Sequence, residues 1–227
     1  MTLSVVGVVC ALASEARHLE PADGTLVRVS GMGIAAAARC ARRLVDEGAT
    51  ALVSWGMAGG LDPRLVPGTI FLPDTVISPS GVALPTDASW RARLGAALSG
   101  HDPVNGGRLL TNAHAVGTLA EKATLFHRTG AVAVDMESAA VGEAARSNQL
   151  PFIAVRVIVD GAADALPRAV SAAADGEGHL QIWRLLGALA RTPGELGGLL
   201  RLAGRYRAAN RSLAAVARVG LVPLGVA

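Results

Sequence analysis

Strongly apolar runs at residues 4–12, 51–55, 131–135 and 152–159, separated by segments of helical period, constrain this chain more than any other feature. A strand that is apolar along both faces has to be covered on both. A largely parallel sheet between two helical layers does this, because each crossover lays a helix on one face or the other. The helices come from the alanine-rich stretch Ile34–Asp46 and from Val116–His127 and Glu137–Asn148. Thr25–Ser30 and Thr69–Ser78 read as further strands, the second with a proline break, while residues 79–107 carry little pattern. Beyond residue 160 the chain reads as helical, with an interruption at Pro193-Gly194. The predicted fold is α/β, three-layered as α/β/α, with a largely parallel mixed central sheet and an extra C-terminal helical segment. No repeat or low-complexity linker divides it, so residues 1–227 are expected to form one domain.

Composition narrows the class. Hydrophobic residues make up 51% of the chain, yet no apolar run reaches the roughly 18 residues that a membrane span needs. The first run lacks a basic leader and leads directly into Glu15, so it reads as a buried strand and not as a signal-peptide core. Cys10 and Cys40 have no metal-like spacing and read as buried thiols of a reducing cytoplasm, with no metal site expected. Lys122 is the only lysine, so the positive charge is nearly all arginine, which codon bias explains at least as well as function does. Residues 180–227 carry seven arginines against one glutamate, and with a net charge of +3 the remainder is mildly acidic. On a helical wheel Leu199, Leu202, Tyr206, Ala209, Leu213 and Val216 share one arc, opposite Arg201, Arg205, Arg207, Arg211 and Arg218. This basic amphipathic extension suits packing against the body or, alternatively, an apolar groove or an anionic bilayer.

Three segments close an apolar run with a carboxylate. They are Ala11-Leu12-Ala13-Ser14-Glu15, Val134-Asp135-Met136-Glu137-Ser138 and Arg156-Val157-Ile158-Val159-Asp160. Ligands of open α/β sheets bind at strand ends. Alone, Glu137 reads as a helix-start residue favoured by the dipole and Asp160 as a turn carboxylate; together they suggest an acid and a base facing one ligand. Ser30-Gly31-Met32-Gly33 follows a strand and opens a helix, as a dinucleotide fingerprint does. The last glycine of that fingerprint is replaced by Ala36, and the next strand ends at Trp55 without an acidic residue, which disfavours a nicotinamide cofactor. Gly56-Met57-Ala58-Gly59-Gly60 reads as a second glycine-rich turn.

In order and spacing over about residues 4–160, these segments resemble the purine nucleoside phosphorylase and methylthioadenosine/S-adenosylhomocysteine nucleosidase superfamily. Within it the chain is most similar to the hopanoid-associated phosphorylase branch, thought to remove adenine from adenosylhopane. The resemblance implies a phosphorylase/hydrolase-like fold and cleavage of the N-glycosidic bond of a 5′-substituted adenosine. It implies Asp160 as the acid that protonates the purine at N7, and Glu15 as the residue that activates water. Glu137 matches the clamp on the ribose 2′ and 3′ hydroxyls, together with Met136, and Arg156 would hold the nucleophile or an adjacent carboxylate. Gly31, Gly33, Met57, Ala58 and Gly59 would line the ligand, and His114 falls where nucleosidases stack a phenylalanine on the base. No cofactor is implied beyond phosphate as a co-substrate. The implied partners are a small adenine nucleoside and further copies of the chain, a dimer above other assemblies, and no nucleic acid. The location would be cytoplasmic, with peripheral contact at the inner membrane face or with a hopanoid as an option.

The departures from the family pattern carry chemistry of their own. Val159 replaces the serine that usually precedes and supports the acid, so something else has to orient Asp160. The pattern Gly-Ser-Ala-Gly-Gly becomes Gly56-Met57-Ala58-Gly59-Gly60, losing a hydroxyl near the nucleophile. Phosphorolytic relatives carry an arginine just before that cluster, whereas Val53-Ser54-Trp55 offers no cation and leaves only Arg28 or Arg156 for phosphate. Retention of Glu15 favours water while the resemblance to the phosphorylase branch favours phosphate, and of hydrolysis and phosphorolysis the first is slightly preferred. The stretch Pro79–Gly107, where relatives build part of the wall around the 5′ substituent, looks shortened, suiting a bulky apolar group. Alternatives within the class are methylthioadenosine/S-adenosylhomocysteine or futalosine cleavage. Outside it stand a nicotinamide-dependent oxidoreductase and a non-catalytic nucleoside-binding protein.

Overall fold

The computed structural model describes residues 5–19, 24–165 and 196–221. In chain order the elements are β1 (Val6–Cys10), α1 (Ala13–Ala16), β2 (Thr25–Val29), α2 (Ile34–Asp46), β3 (Ala51–Gly60), β4 (Ile70–Leu72), β5 (Thr75–Ile77) and β6 (Ala83–Pro85). There follow α3 (Ala88–Ala97), a 3-10 turn (Ser99–His101), β7 (Val104–Asn105), β8 (Arg108–Thr111), α4 (Leu119–Thr129), β9 (Ala131–Asp135), α5 (Ser138–Ser147), β10 (Phe152–Asp160) and α6 (Leu196–Val219). The ten strands form one mixed sheet in the order β6-β5-β8-β9-β3-β10-β4-β7, with β1 and β2 joined to it through β3.

Alternation along the central strands sorts the core into two layers. Leu52 of β3 and Phe152, Ala154 and Ile158 of β10 face one side, where Ala37, Ala41 and Leu44 of α2 and Ala139, Ala140, Val141 and Ala145 of α5 cover them. Val53 and Trp55 of β3 and Ile153, Val155 and Val157 of β10 face the other, under Trp90 and Leu94 of α3 and Ala209, Leu213 and Val216 of α6. Small residues set the close approach of the first layer: a Cβ on Gly7 would stand 2.9 Å from a Leu52 methyl, and one on Gly142 2.9 Å from the Phe152 ring. A smaller cluster, Leu61, Leu110, Val116, Ala131 and Val134, lies under α4.

Helix ends follow their local chemistry. Gly48, at φ +92, is placed to end α2. The α4 helix starts at a reciprocal cap, in which Thr118 Oγ1 accepts the Glu121 amide at 3.2 Å and Glu121 Oε2 accepts the Thr118 amide at 3.1 Å. It therefore begins at Leu119, three residues later than expected. Gly130, left-handed at φ +64, closes it.

Three expectations are corrected. Gly56–Gly60 is not a turn but the second half of β3, paired with β10 as far as Gly59. Residues 79–107 contain β6, α3 and β7, where Asp87 caps α3 by accepting the Trp90 amide at 2.7 Å. Strand β8 went unrecognised. On α6, Ala209, Leu213 and Val216 are core residues, so the apolar stripe packs against the body and these three are not free for a groove or bilayer. Arg201, Arg207, Arg211 and Arg218 are exposed, while Arg205 pairs with Asp164. The Leu199 side chain and residues 180–195, with Arg184, Arg191 and Pro193-Gly194, lie outside the described residues. No described helix is long and apolar enough to cross a membrane.

Candidate active site

Strand β3 changes neighbours along its length, and the site sits at the change. β10 lies along one edge from Leu52 to Gly59. On the other edge β1 pairs in parallel up to Cys10–Trp55, and β9 pairs antiparallel at Gly59–Val134 and Gly60–Ala133. Gly56, Met57 and Ala58 thus face no strand on that edge, and their backbone groups have to find other partners.

Glu15 fills this gap. The β1 strand ends at Cys10 and the short α1 turns back, so that Glu15 Oε1 accepts the Met57 amide and Oε2 the Leu12 amide, both at 3.0 Å. The approach requires glycine at position 56: a Cβ there would lie 2.7 Å from Glu15 Oε1, and its φ of +155 disfavours other residues. Trp55 Nε1 donates to the Glu15 carbonyl at 3.1 Å. Burial pushes the Glu15 carboxyl above its ordinary range, against Arg156 and the amides, which pull it down.

Glu137 reaches the same gap from the far side. Because β9 is antiparallel to β3, its end returns toward the middle of β3 instead of joining the ends of β1 and β10 at one rim, as the parallel reading expected. Glu137 precedes α5 but does not cap it. Its Oε1 accepts the Gly33 amide at 2.8 Å and its Oε2 the Met136 amide at 3.3 Å. Gly31 and Gly33, at φ +83 and +92, turn the chain from β2 into α2. The amide that a dinucleotide phosphate would use at the start of α2 is thus occupied by Glu137, which opposes the nicotinamide reading.

Beneath both glutamates lies a buried ion pair. Arg156 Nε and Nη2 donate to Asp135 Oδ2 at 2.8 and 2.7 Å, and Nη2 also reaches Ser54 Oγ at 2.7 Å and Ser138 Oγ at 2.9 Å. Thr111 Oγ1 donates to Asp135 Oδ1 at 2.7 Å, and the Ser138 amide to Oδ2 at 3.1 Å. Among the described residues no buried side-chain polar atom lacks a partner. The Arg156 guanidinium is thus committed to the adjacent Asp135 carboxylate. Arg28 is committed as well, to Glu47 at 2.8 Å and the Val27 carbonyl at 3.0 Å.

Three carboxyls therefore share one buried cation. Burial, then Asp135, push Glu137 up to about 7, against Arg156 and the Gly33 amide. A carboxyl held above its unfolded value binds its proton more tightly in the folded chain. Its contribution to stability accordingly falls as pH rises from about 4.5 to about 7, and stays low above. Glu137→Gln is expected to flatten the stability–pH curve in that window and to exceed wild type above it by on the order of 1–3 kcal/mol. Urea midpoints measured at stepped pH check this, and an unchanged slope would show the charge to be compensated elsewhere.

Asp160 stands at the end of β10, opposite Gly59, about three residues or roughly 10 Å along β3 from Gly56. A bulge between Ile158 and Asp160 leaves Val159 unpaired and re-aims the carboxyl. Gly59 leaves room beside it, since a Cβ there would lie 3.4 Å from Asp160 Oδ2. Asp160 Oδ2 is gripped by Lys122 Nζ of α4, which also donates to the carbonyls of Gly161 at 2.7 Å and Asp164 at 2.9 Å. Burial raises the Asp160 carboxyl, while Lys122 pulls it down.

The remaining expected residues are less engaged. Met57 is half-buried with its side chain packed against the core layer of Trp55 and Val157, and the Ala58 methyl faces the other layer, leaving only its backbone toward a ligand. His114 is exposed in the loop after β8, where its carbonyl accepts from Asn112 Nδ2 at 2.8 Å. The sequence alone assigns no role to Asp135, Ser54, Ser138, Thr111 or Lys122. Lys122 had a legible signal, because it shares the helical stripe of Leu125 and Phe126 and so points inward. Cys10 and Cys40 are free thiols that burial pushes up, which makes them poor nucleophiles. No group of three or more histidine, cysteine, aspartate or glutamate side chains suited to a metal occurs among the described residues.

An α/β/α sheet with buried carboxylates around an interrupted central strand defines an enzyme of the nucleosidase and phosphorylase kind. The family model of the phosphorylase superfamily matches residues 22–181, and the chain belongs to that superfamily. No curated protein sequence matches it. Among solved structures it is similar to the Helicobacter pylori 5′-methylthioadenosine/S-adenosylhomocysteine nucleosidase, with TM-score 0.68 and 15% identity over 95% of this chain and 98% of that one. The S-adenosylhomocysteine nucleosidase of Streptococcus pyogenes, in complex with 5-methylthiotubericidin, gives TM-score 0.64 and 20% identity over 71% and 86%. The futalosine hydrolase of Helicobacter pylori gives 0.63 and 16% over 70% and 89%.

Proposed function

We propose that the protein hydrolyses the N-glycosidic bond of a 5′-substituted adenosine, releasing adenine, and that the 5′ group is bulky and apolar, as in adenosylhopane. The observation that carries this reading is the placing of Glu15 on the open edge of β3 with Glu137 close to it, and of Asp160 at the end of the neighbouring β10, opposite Gly59. That spacing suits a nucleoside with its ribose at the glutamates and its purine at Asp160.

Asp160 gives its proton to purine N7. The C1′–N9 bond then breaks with its electron pair moving to the base, and positive charge builds on the sugar. Glu137 holds the 2′ and 3′ hydroxyls, and the carboxylates beside the ribose stabilise that charge. Glu15 takes a proton from water as the water oxygen bonds to C1′. Water is preferred to phosphate because Arg28 and Arg156, the two candidate phosphate cations, are bonded to Glu47 and Asp135. The exposed arginines of α6 support peripheral contact with an anionic bilayer, and the family resemblance supports a homo-oligomer, a dimer above other assemblies.

Incubation with 5′-substituted adenosines, with and without phosphate, tests the reading. Adenine and a free 5′-substituted ribose are expected in phosphate-free buffer, and Glu15→Gln should slow their release by about 10²–10⁴-fold. Strict dependence on phosphate, with a ribose 1-phosphate product, overturns hydrolysis. A kcat/KM higher for methylthioadenosine than for long apolar 5′ groups overturns the adenosylhopane assignment and leaves nucleosidase activity standing.

A further inference from the structure

The chain's only lysine is fully buried, on the inward stripe of α4. A buried ammonium needs an acceptor for every proton. Lys122 has three: Asp160 Oδ2 and the carbonyls of Gly161 and Asp164. None of its protons remains for a ligand, so whatever Lys122 does in the reaction it does through Asp160. The grip also selects an oxygen, since Oδ2 is taken and Oδ1 is left for the base. Val159, the bulged residue before the acid, has no side-chain hydrogen-bonding group to offer.

Among the described residues, the charged groups that face Asp160 are Lys122 from α4, Asp164 from the loop after β10 and Arg205 from α6. Arg205 is bonded to Asp164 Oδ1, and Asp164 Oδ2 accepts the Gly161 amide at 2.9 Å. Those two charges largely cancel. Among the described residues, Lys122 is the cation left to balance Asp160.

We propose that Lys122 is the positioning residue of the acid, orienting Asp160 and neutralising the carboxylate that forms when its proton leaves. The proposal rests on Asp160 being the acid. In the step, the Oδ1–H bond breaks as N7–H forms, the C1′–N9 pair moves to the purine, and the new Asp160 carboxylate remains paired with the Lys122 ammonium. Lys122 keeps its three protons throughout. By stabilising the conjugate base it makes Asp160 a stronger acid at the moment of bond breaking.

The test is the pH profile of adenine release by Lys122→Gln, which removes the charge but keeps hydrogen-bond donors, with Lys122→Arg and Asp160→Asn alongside. Activity that needs protonated Asp160 is lost as pH rises through its pKa. Without the cation that pKa rises, so Lys122→Gln should move the alkaline limb up by about one to two pH units. Its kcat below the limb should fall by about 10–100-fold, with KM within roughly threefold, because the acid is weaker. Lys122→Arg, which keeps the charge, should hold the limb near wild type. Infrared difference titration gives a readout independent of turnover: the protonated-carboxyl band missing in Asp160→Asn should appear at higher pH in Lys122→Gln than in wild type. If Lys122→Gln is folded and both its limb and its band match wild type while Asp160→Asn is inactive, the role of Lys122 is refuted and the acid stands. An Arg variant displaced as far as the Gln variant refutes it too. An active Asp160→Asn would instead remove the acid assignment on which the proposal rests.

Discussion

Asp160→Asn lowers adenine release by about two to four orders of magnitude, the scale of losing a positioned proton donor. The asparagine keeps the shape of the side chain and still accepts from Lys122, so the fold should hold and the loss should fall on kcat. Steady-state assays at saturating nucleoside, with far-UV dichroism as a control for folding, measure it. Turnover within about tenfold of wild type would assign the proton to another group.

The second large effect falls on stability. Arg156→Met leaves the Asp135 carboxylate buried with only Thr111 and the Ser138 amide as partners. Removing one member of a buried pair costs about 3–5 kcal/mol, because the other charge is left uncompensated. The loss should shrink in the Asp135→Asn/Arg156→Met double variant, whose residual charge is smaller. Arg156 also pulls down the carboxyls of Glu15 and Glu137, so its loss should raise both and leave the site more protonated at neutral pH. Denaturant midpoints for the two single variants and the double variant decide the matter. A single Arg156 variant as stable as wild type would mean that the pair contributes nothing net.

The elements legible in the sequence are those whose own composition bounds them. The α2 helix runs from Ile34 to Asp46 as expected, because its alanine stretch is opened by Gly33 and closed by Gly48. The β1, β9 and β10 strands were visible as apolar runs. The second half of β3 was not, because Gly56-Met57-Ala58-Gly59-Gly60 has the composition of a turn. It is extended because β10 runs along it, and it carries glycine where Glu15 crowds Gly56 and where the carbonyls of Leu65 and Asp160 stand 3.2 and 3.3 Å from a Cβ on Gly60. The α3 helix hid because only Trp90 and Leu94 are buried along it, too few to set a period.

The site was legible as a set of residue types and illegible as an arrangement. Glu15, Glu137, Asp160 and Arg156 stood out at run ends, but the direction of β9 is a tertiary fact that no local pattern records. Asp135 carries no assignable role in the sequence, since only the fold brings Arg156 to it. Lys122 stands out in the sequence only as the single lysine of an arginine-rich chain, although its phase with Leu125 and Phe126 marks it as buried, a departure from the strong preference of lysine for the surface.

Both glutamates hang on main-chain amides, Glu15 from those of Leu12 and Met57 and Glu137 from that of Gly33. An amide is supplied by every residue except proline, so the side chains of Leu12 and Met57 are free to be replaced without unhooking the carboxylate. The backbone path acts here as a template and the residues draped on it as interchangeable lining. For redesign of the ligand, that separates the parts that have to stay, Gly56 and the glutamates, from neighbouring positions that can be randomised to reshape the pocket while the chemistry stays in place.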